Sequence, residues 1–199
     1  MNRIAFEKQL LNACKEATRT RAPLSLLFVD LDGFKPINDT LGHAIGDVVL
    51  QDFAQCLQRA ARASDAVARL GGDEFVIICP ELGDPNHIHD FCDRLFAQVA
   101  RITVPHHPDL MVGASVGVAT FPRDAKDPVA LLERADAAMY CAKRQGGEPL
   151  LPRSRVSTGR PHRLSGELAA SVRGFPVRSD ANFNHQRHLQ LSHLGHQAR

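Results

Sequence analysis

The sequence has no apolar run long enough to cross a lipid bilayer. A strongly apolar run, FVIIC, occupies only residues 75–79, whereas a membrane-spanning helix needs about 20 apolar residues. The N-terminus, MNRIAFEKQL, carries charges where a signal peptide has an apolar block, which argues against secretion. We therefore expect a cytoplasmic protein with no membrane segment.

Paired cysteines and the common phosphate-binding loops are also missing. The five cysteines, at positions 14, 56, 79, 92 and 141, are odd in number and at least thirteen residues apart. This spacing fits neither a zinc site nor a disulfide framework, so we predict reduced cysteines in the core. The sequence lacks a G-x-x-x-x-G-K-[ST] motif, and GASVG (113–117) does not fit the dinucleotide-binding fingerprint.

Charge is distributed unevenly along the chain. Of its 199 residues, 44% are hydrophobic and 23% are charged, which is enough for one domain with a sizeable core and a tail. Residues 151–199 contain eight arginines, no lysine and two acids, a net charge of +6 that leaves −4 for the remainder. We place the domain at residues 1–147 and predict a basic, largely disordered tail at 148–199.

The tail has two interpretations. It could be a basic arm that binds nucleic acid, or a stretch not selected for folding, such as a readthrough or frame-shifted end. We favour the second, because an evolved basic arm would usually contain lysine as well as arginine. Nucleic acid is therefore not the partner that we expect.

Hydrophobic periodicity predicts four helices and four strands. The helices are expected at residues 3–20, 43–62, 85–102 and 127–146, and the strands at 24–31, 65–70, 74–79 and 110–121. The segment 32–42 is rich in Gly, Pro, Asn and Asp and is predicted as a loop or short turn. Glycines inside the last strand indicate a bulge or a close backbone approach. Hairpins with helices between them favour an α+β sandwich over a doubly wound parallel sheet.

Carboxylates follow or precede two of these strands. Asp30 and Asp32 end the first strand and share a face, because they are two residues apart, and Asp73 and Glu74 lie in the tight turn of RLGGDEFVII. The two glycines of this turn leave room for a ligand. If the strands are neighbours, the acids form an oxygen-rich pocket that suits Mg²⁺ and a phosphorylated ligand. An ordinary turn with solvated acids is the alternative, and the acids that end LLFVDLD favour the metal.

Four segments together resemble a known family. RLGGDEF, DLDGFKPINDTLGHAIGD, ASVGVATFP and ADAAMYCAKRQG resemble the motifs of the GGDEF family, the diguanylate cyclases, over residues 2–146. The resemblance implies an antiparallel-sheet nucleotide-cyclase palm with a ferredoxin-like core, surrounded by helices. It also implies that a homodimer, holding one GTP in each protomer, condenses two GTP into cyclic di-GMP and two pyrophosphates.

The resemblance assigns roles to individual residues. Asp73 and Glu74 would be catalytic. Mg²⁺, for which Mn²⁺ could substitute, would bind Asp30, the carbonyl of Leu31, Asp73 and Glu74. The substrate-binding residues would be Gly33, Phe34, Lys35, Asn38, Asp47, Leu50, Gly72 and Lys143. Of these, Asn38 and Asp47 would read the guanine edge, since a carboxylate that accepts from N1–H and the 2-amino group selects guanine over adenine. Leu50 would pack against the base, and the lysines would hold phosphates.

A second family feature is RASD (62–65), which matches an R-x-x-D inhibitory motif. Arg62 and Asp65 would bind the product cyclic di-GMP, with Arg94 contributing from the other protomer. Arginine suits this role because it pairs bidentately with phosphate or guanine. The alternative is that Arg62 and Asp65 only end a helix.

Both ends depart from the family pattern. Of the usual D-x-L-T-x-L-x-N-R segment only MNR is present, and GGEPLLP follows the last helix in place of G-[RK]-N and a closing strand. Gly147 stands where a phosphate-binding Arg or Lys is common, and Pro149 and Pro152 argue against the strand. A catalytically weak GGDEF module that binds GTP or cyclic di-GMP as a regulatory receptor is therefore the second hypothesis. A nucleic-acid-binding protein that acts through its tail is the third.

Overall fold

The structure, a computed structural model, describes residues 1–144 and the backbone of residues 155–158. The helices are α1 (Arg3–Thr20), α2 (Phe34–Leu41), α3 (His43–Ala60), α4 (Pro85–Val99) and α5 (Pro128–Arg144). The strands are β1 (Leu24–Asp32), β2 (Ala66–Gly71), β3 (Glu74–Pro80), β4 (Gly113–Phe121) and β5 (Arg155–Thr158). All four predicted helices and all four predicted strands are present.

The strands form one sheet in the order β2-β3-β1-β4-β5. The pairs β2–β3, β3–β1 and β1–β4 are antiparallel, and β5 is parallel to β4. β1 lies in the middle and is buried along its whole length except at Asp32. The arrangement of an antiparallel sheet with helices confirms the predicted α+β cyclase palm.

Alternation along β1 gives the sheet two apolar faces. Leu27, Val29 and Leu31 belong to a core cluster that also contains the buried residues of α3 and α4. The intervening residues of β1 lie on the opposite face, where α5 packs along β4 and β1. The carboxylates at the end of β1 are therefore carried by a strand that is fixed from both sides.

The glycines predicted to mark a bulge or a close approach in β4 mark a close approach. β4 pairs with β1 in unbroken register from Gly113 to Phe121. A Cβ on Gly117 would lie 2.0 Å from the backbone nitrogen of Met139 and 2.1 Å from the carbonyl oxygen of Ala135. The backbone of α5 thus lies directly on β4.

The prediction of a loop at 32–42 is wrong, because this segment contains α2. Its proline, Pro36, lies in the first turn, where a helix does not need the missing N–H group. Gly33, with φ 78°, and Gly42, with φ 84°, flank the helix in conformations that other residues rarely adopt. Ile37 is buried on the core side of the helix. The many polar residues that suggested a loop therefore belong to the outer face of α2.

The prediction that Pro149 and Pro152 exclude a closing strand is also wrong. Residues Arg155–Thr158 form β5, which pairs with Ser115–Val118 of β4. Proline removes a backbone donor only at its own position, and the strand begins three residues beyond Pro152. Gly147 and the remainder of the tail at 148–199 lie outside the described residues.

The cysteine prediction holds for four of the five side chains. Cys14, Cys56, Cys79 and Cys92 are buried, but Cys141 is exposed on α5. Burial raises the pKa of Cys14 to about 11 and that of Cys92 to about 12. Among the described residues, no helix combines the length and apolar character that a membrane span requires.

We expect the substitution Gly117→Ala to lower the free energy of unfolding by about 3 kcal/mol, because its Cβ meets backbone atoms that cannot rotate away. Urea denaturation measures the change. Gly71→Ala is the matched control, since nothing lies within 4 Å of a Cβ at Gly71, and it should change stability by less than about 0.5 kcal/mol. Equal stability of the two variants would contradict the close approach of α5 to β4.

Candidate active site

A row of polar side chains crosses three strands at one end of the sheet. In the antiparallel register, Asp30 of β1 lies opposite Glu74 of β3 on one side and Ser115 of β4 on the other. Directly opposed residues share a face of the sheet, and Asp32 shares it because it lies two residues after Asp30. The predicted juxtaposition of the acids on β1 and β3 is therefore present.

Asp30 forms an ion pair with Lys143, which lies in the last turn of α5. The Nζ atom of Lys143 is 2.8 Å from both carboxylate oxygens of Asp30. Asp30 is only 4% exposed, whereas the lysine side chain is 45% exposed. The sequence predicted Lys143 as a phosphate ligand and gave no signal for this contact, which joins residues far apart in the chain.

The pKa values of Asp30 and Lys143 show that other charged groups lie near this ion pair. Burial raises the pKa of Asp30 to about 6, and although Lys143 opposes this shift, the charges of Asp73 and Asp32 add to it. Burial alone would lower the pKa of Lys143, but its hydrogen bond to Asp30 and the charges of Asp30, Asp73 and Asp32 raise it above its ordinary value. Three carboxylates thus lie within electrostatic reach of one ammonium group.

One backbone hydrogen bond attaches the tip of the β2–β3 hairpin to β1, and an arginine side chain of β2 holds the tip from within the hairpin. The N–H of Leu31 donates to the carbonyl of Asp73 at 3.3 Å, and Arg69 Nε donates to the carbonyl of Gly72 at 2.9 Å. Gly72 has φ 51°, and a Cβ on Gly72 would contact no atom within 4 Å. The tip is held in place while its surface stays free of side chains, as the glycines predicted.

Ser115 is a site residue that the sequence analysis missed. It is fully buried, and its Oγ donates to Oδ1 of Asp32 at 2.8 Å. The hydroxyl therefore fixes the rotamer of the second carboxylate at the end of β1. The signal in the sequence is a serine within the largely apolar strand GASVGVATF.

The N-terminus of α2 offers backbone donors beside the acids. Gly33 precedes the helix without a side-chain cap, and the first N–H groups of a helix have no partner within it. The N–H groups at Phe34 and Lys35 can therefore bind an anion, an arrangement that suits phosphate. Lys35 is exposed, so its charge is available at the same helix end.

The three residues assigned to the base lie at the junction of α2 and α3. Asn38 is half-buried on α2, Asp47 is exposed in the first turns of α3, and Leu50 is 5% exposed within the core cluster. Asn38 packs against Gly46, the residue before Asp47, and a Cβ at Gly46 would overlap the Asn38 amide. The Asn38 amide therefore lies against the residue that precedes Asp47 in α3, and Leu50 lies one turn beyond Gly46 in the same helix.

The R-x-x-D segment forms a closed turn after α3. The N–H of Arg62 donates to Oδ2 of Asp65 at 2.7 Å, and the N–H of Asp65 donates to the carbonyl of Arg62 at 3.0 Å. Burial chiefly raises the pKa of Cys79 well above its ordinary value, while Asp65 raises and Arg62 and Arg94 lower it. Arg62, Asp65 and Arg94 are thus within electrostatic reach of Cys79, which lies at the end of β3 away from Glu74.

Comparison with known proteins identifies the family. The family model described as "Diguanylate cyclase, GGDEF domain" matches residues 1–149. The diguanylate cyclase TpbB of Pseudomonas aeruginosa is 42% identical over 145 residues, which cover 72% of this chain and 33% of TpbB. The chain therefore spans about a third of the length of this curated relative.

Solved structures share the fold. The GGDEF domain of TpbB, also called YfiN, superposes with a TM-score of 0.71 at 39% identity, covering 79% of this chain and 96% of that domain. The GGDEF domain of DgcB from Caulobacter crescentus, solved in complex with c-di-GMP, gives a TM-score of 0.70 at 31% identity, covering 79% and 90%. The family model covers most of the chain, and the curated relative and the solved structures agree with it: this chain belongs to the GGDEF family of diguanylate cyclase domains.

Proposed function

We propose that this domain is a diguanylate cyclase that condenses two GTP molecules into cyclic di-GMP and two pyrophosphates. The observation that carries the proposal is the juxtaposition of Asp30 and Glu74 on one sheet face, with Asp73 at the attached hairpin tip. The N-terminus of α2 follows directly after β1. Metal-binding oxygens and phosphate-binding N–H groups thus lie side by side. Because GTP is a cytoplasmic metabolite, we propose that the reaction takes place in the cytoplasm.

Magnesium fits these residues. The donor set consists of oxygen atoms, and both oxygens of Asp30 already face a cation, the Lys143 ammonium. Mg²⁺ typically uses one or two carboxylates and takes its other ligands from water and substrate phosphates. The small number of carboxylates at this end of β1 and β3 is enough for such an ion.

Asp30, Glu74 and the Leu31 carbonyl would hold the Mg²⁺ ion, with Asp73 beside them. When bound, Mg²⁺ polarises the reacting phosphate and makes the ribose 3′-hydroxyl more acidic. Lys143 is half-exposed, so its ammonium can turn to substrate phosphates once another cation neutralises Asp30. The N–H groups at the start of α2 bind the same phosphates.

Two equivalent substitutions complete the reaction. In each, the 3′-oxygen of one GTP forms a bond to the α-phosphorus of the other, the bond to the bridging oxygen breaks, and pyrophosphate leaves with the electron pair. The hydroxyl proton passes to the Asp73 carboxylate. Positioning of the two nucleotides and neutralisation of the developing negative charge together supply the acceleration.

A homodimer follows from this chemistry. One chain carries one base-binding set, Asn38 with Asp47, and one hairpin tip with Asp73 and Glu74. It therefore holds a single GTP, and the second nucleotide must come from a facing protomer. Product inhibition would use the turn formed by Arg62 and Asp65, because arginine binds phosphate and guanine bidentately.

A module that binds GTP or cyclic di-GMP without turnover is the second candidate. It is favoured by the ion pair of Lys143 with Asp30, which keeps a phosphate-binding cation away from phosphate. Incubation with GTP and Mg²⁺, followed by chromatography, separates the two candidates. Cyclic di-GMP that forms only with Mg²⁺ supports the enzyme, whereas GTP binding without product supports the receptor.

We expect Asp73→Asn and Glu74→Gln to lower the rate of cyclic di-GMP formation by at least about 100-fold, because each removes a charge at the reacting centre. Circular dichroism should show an unchanged fold, since both side chains are at the end of the hairpin. Glu133→Gln, an exposed glutamate on α5, is the control and should retain full activity. Wild-type turnover in both hairpin variants would refute these roles.

Removing Lys143 should destabilise the metal-free protein. Lys143→Met leaves Asp30 buried without its counter-charge, and we expect a loss of about 1–2 kcal/mol, limited by the exposure of the lysine. Adding Asp30→Asn should recover part of this loss. Lys126→Met, at an exposed lysine, is the control in urea denaturation with a chelator present. Equal stability of the two lysine variants would show that the ion pair contributes nothing.

Arg62→Ala should weaken the binding of cyclic di-GMP by at least about tenfold, because it removes a charged hydrogen-bonding group from the turn. Isothermal titration calorimetry with cyclic di-GMP measures the affinity. GTP is left out so that no product forms during the titration. Arg134→Ala, at an exposed arginine on α5, is the matched control. Unchanged affinity in Arg62→Ala would place the product elsewhere.

A further inference from the structure

Gly46 lies in α3, and the space beside it that a side chain would fill is occupied by Asn38. The glycine is buried within the helix. A Cβ at ideal geometry would lie 1.9 Å from Oδ1 and 2.9 Å from Cγ of Asn38, and 3.4 Å from Cε2 of Phe34. The amide of Asn38 therefore rests on the backbone of α3, in the space that any other residue at position 46 would fill.

The backbone conformation does not explain this glycine. Gly46 lies inside a helix and has no left-handed φ, unlike Gly33 and Gly42. Glycine in a helix interior is less favourable than alanine, because it loses more backbone entropy on folding. The residue thus weakens α3 locally, and the contact with Asn38 is the feature that requires its small size.

No side-chain hydrogen bond within the described residues fixes the Asn38 amide. Its backbone carbonyl accepts a hydrogen bond from the N–H of Gly42 at 3.0 Å, which anchors the end of α2. The side-chain amide makes no hydrogen bond to the part of the chain that the structure describes. Packing of the amide oxygen against Gly46 therefore sets its orientation, and the amide N–H donors are not used by the described residues.

We propose that Gly46 is a positioning residue for base recognition: it seats the Asn38 amide beside Asp47, so that the two polar groups meet the same edge of guanine. This proposal rests on the proposed function, because it assigns Asn38 and Asp47 to the base. It also explains why α3 has a glycine where α2 packs against it. Specificity for guanine then depends on a residue that makes no polar contact of its own.

Alanine at position 46 should leave the fold intact and displace the amide. The obstructing atoms at Gly46 belong to the free end of the Asn38 side chain, which can rotate, whereas those at Gly117 belong to the backbone of α5. We therefore expect Gly46→Ala to keep the wild-type melting temperature within about 4 °C. The cost should appear in nucleotide binding.

The test uses 3′-deoxy-GTP, which lacks the attacking hydroxyl and so binds without reacting, and 3′-deoxy-ATP as the competitor. We expect Gly46→Ala to weaken 3′-deoxy-GTP binding about tenfold and to lower the preference for guanine over adenine. Gln58→Ala, an exposed position on the same helix, is the control and should bind as the wild type does.

A double-mutant cycle with Asn38→Ala identifies the route of the effect. If Gly46 acts through Asn38, Gly46→Ala should cause no further loss of affinity once the amide is gone. In that background it should also raise the melting temperature by about 2–4 °C, because alanine favours the helix and the space is now empty. Equal losses of affinity with and without Asn38 would overturn the proposal.

The melting temperatures separate the failure of this inference from the failure of the proposed function. Coupling of Gly46 and Asn38 in stability without coupling in affinity would overturn the positioning role alone. Absence of coupling in both would overturn the contact itself. A wild-type domain that binds no 3′-deoxy-GTP would overturn the proposed function, and the positioning role with it, while the stability cycle would still report the contact.

Discussion

A carboxylate that leaves water loses stability unless a positive charge accompanies it, and Asp30 receives that charge from the other end of the described chain. Lys143 follows it by 113 residues and contacts both of its oxygens. The charge balance of the site therefore depends on the position of α5. The helix has to lie close enough to the sheet for its last turn to reach the end of β1.

Gly117 provides that closeness. It lies two residues after Ser115, the partner of Asp30 in the register, and its bare backbone touches Met139 one helical turn before Lys143. A side chain at Gly117 would push the helix away and stretch the ion pair. Gly117 and Gly46 thus serve different purposes: Gly117 lets the backbone of α5 approach the sheet, and Gly46 lets the Asn38 side chain pack on α3.

The features that could be predicted are those that depend on short-range sequence patterns. Periodicity located four helices and four strands, and the motif around Asp73 and Glu74 located the acids, because a strand pattern and a glycine turn are short-range signals. α2 was missed because its composition is that of a turn, and only the position of Pro36 in its first turn makes it compatible with a helix. β5 was missed because two prolines obscured the strand that begins after them.

The contacts that could not be predicted join distant residues. Asp30 with Lys143 and Asp32 with Ser115 are separated by 113 and 83 residues, and no local pattern records which side chains a sheet will bring together. Gly46 could be read as an ordinary helix glycine. Its partner, Asn38, lay in a segment assigned to a loop, so the contact had no place in the sequence-based prediction.

The direct passage from β1 into α2 has a mechanical consequence. Only Gly33 separates the strand that carries the acids from the helix that offers phosphate donors, and the hairpin tip is hydrogen-bonded to the same strand. These parts share one strand, and we expect them to move together. In the proposed homodimer, a signal that moves each domain as a body would change the distance between the two sites without distorting either one.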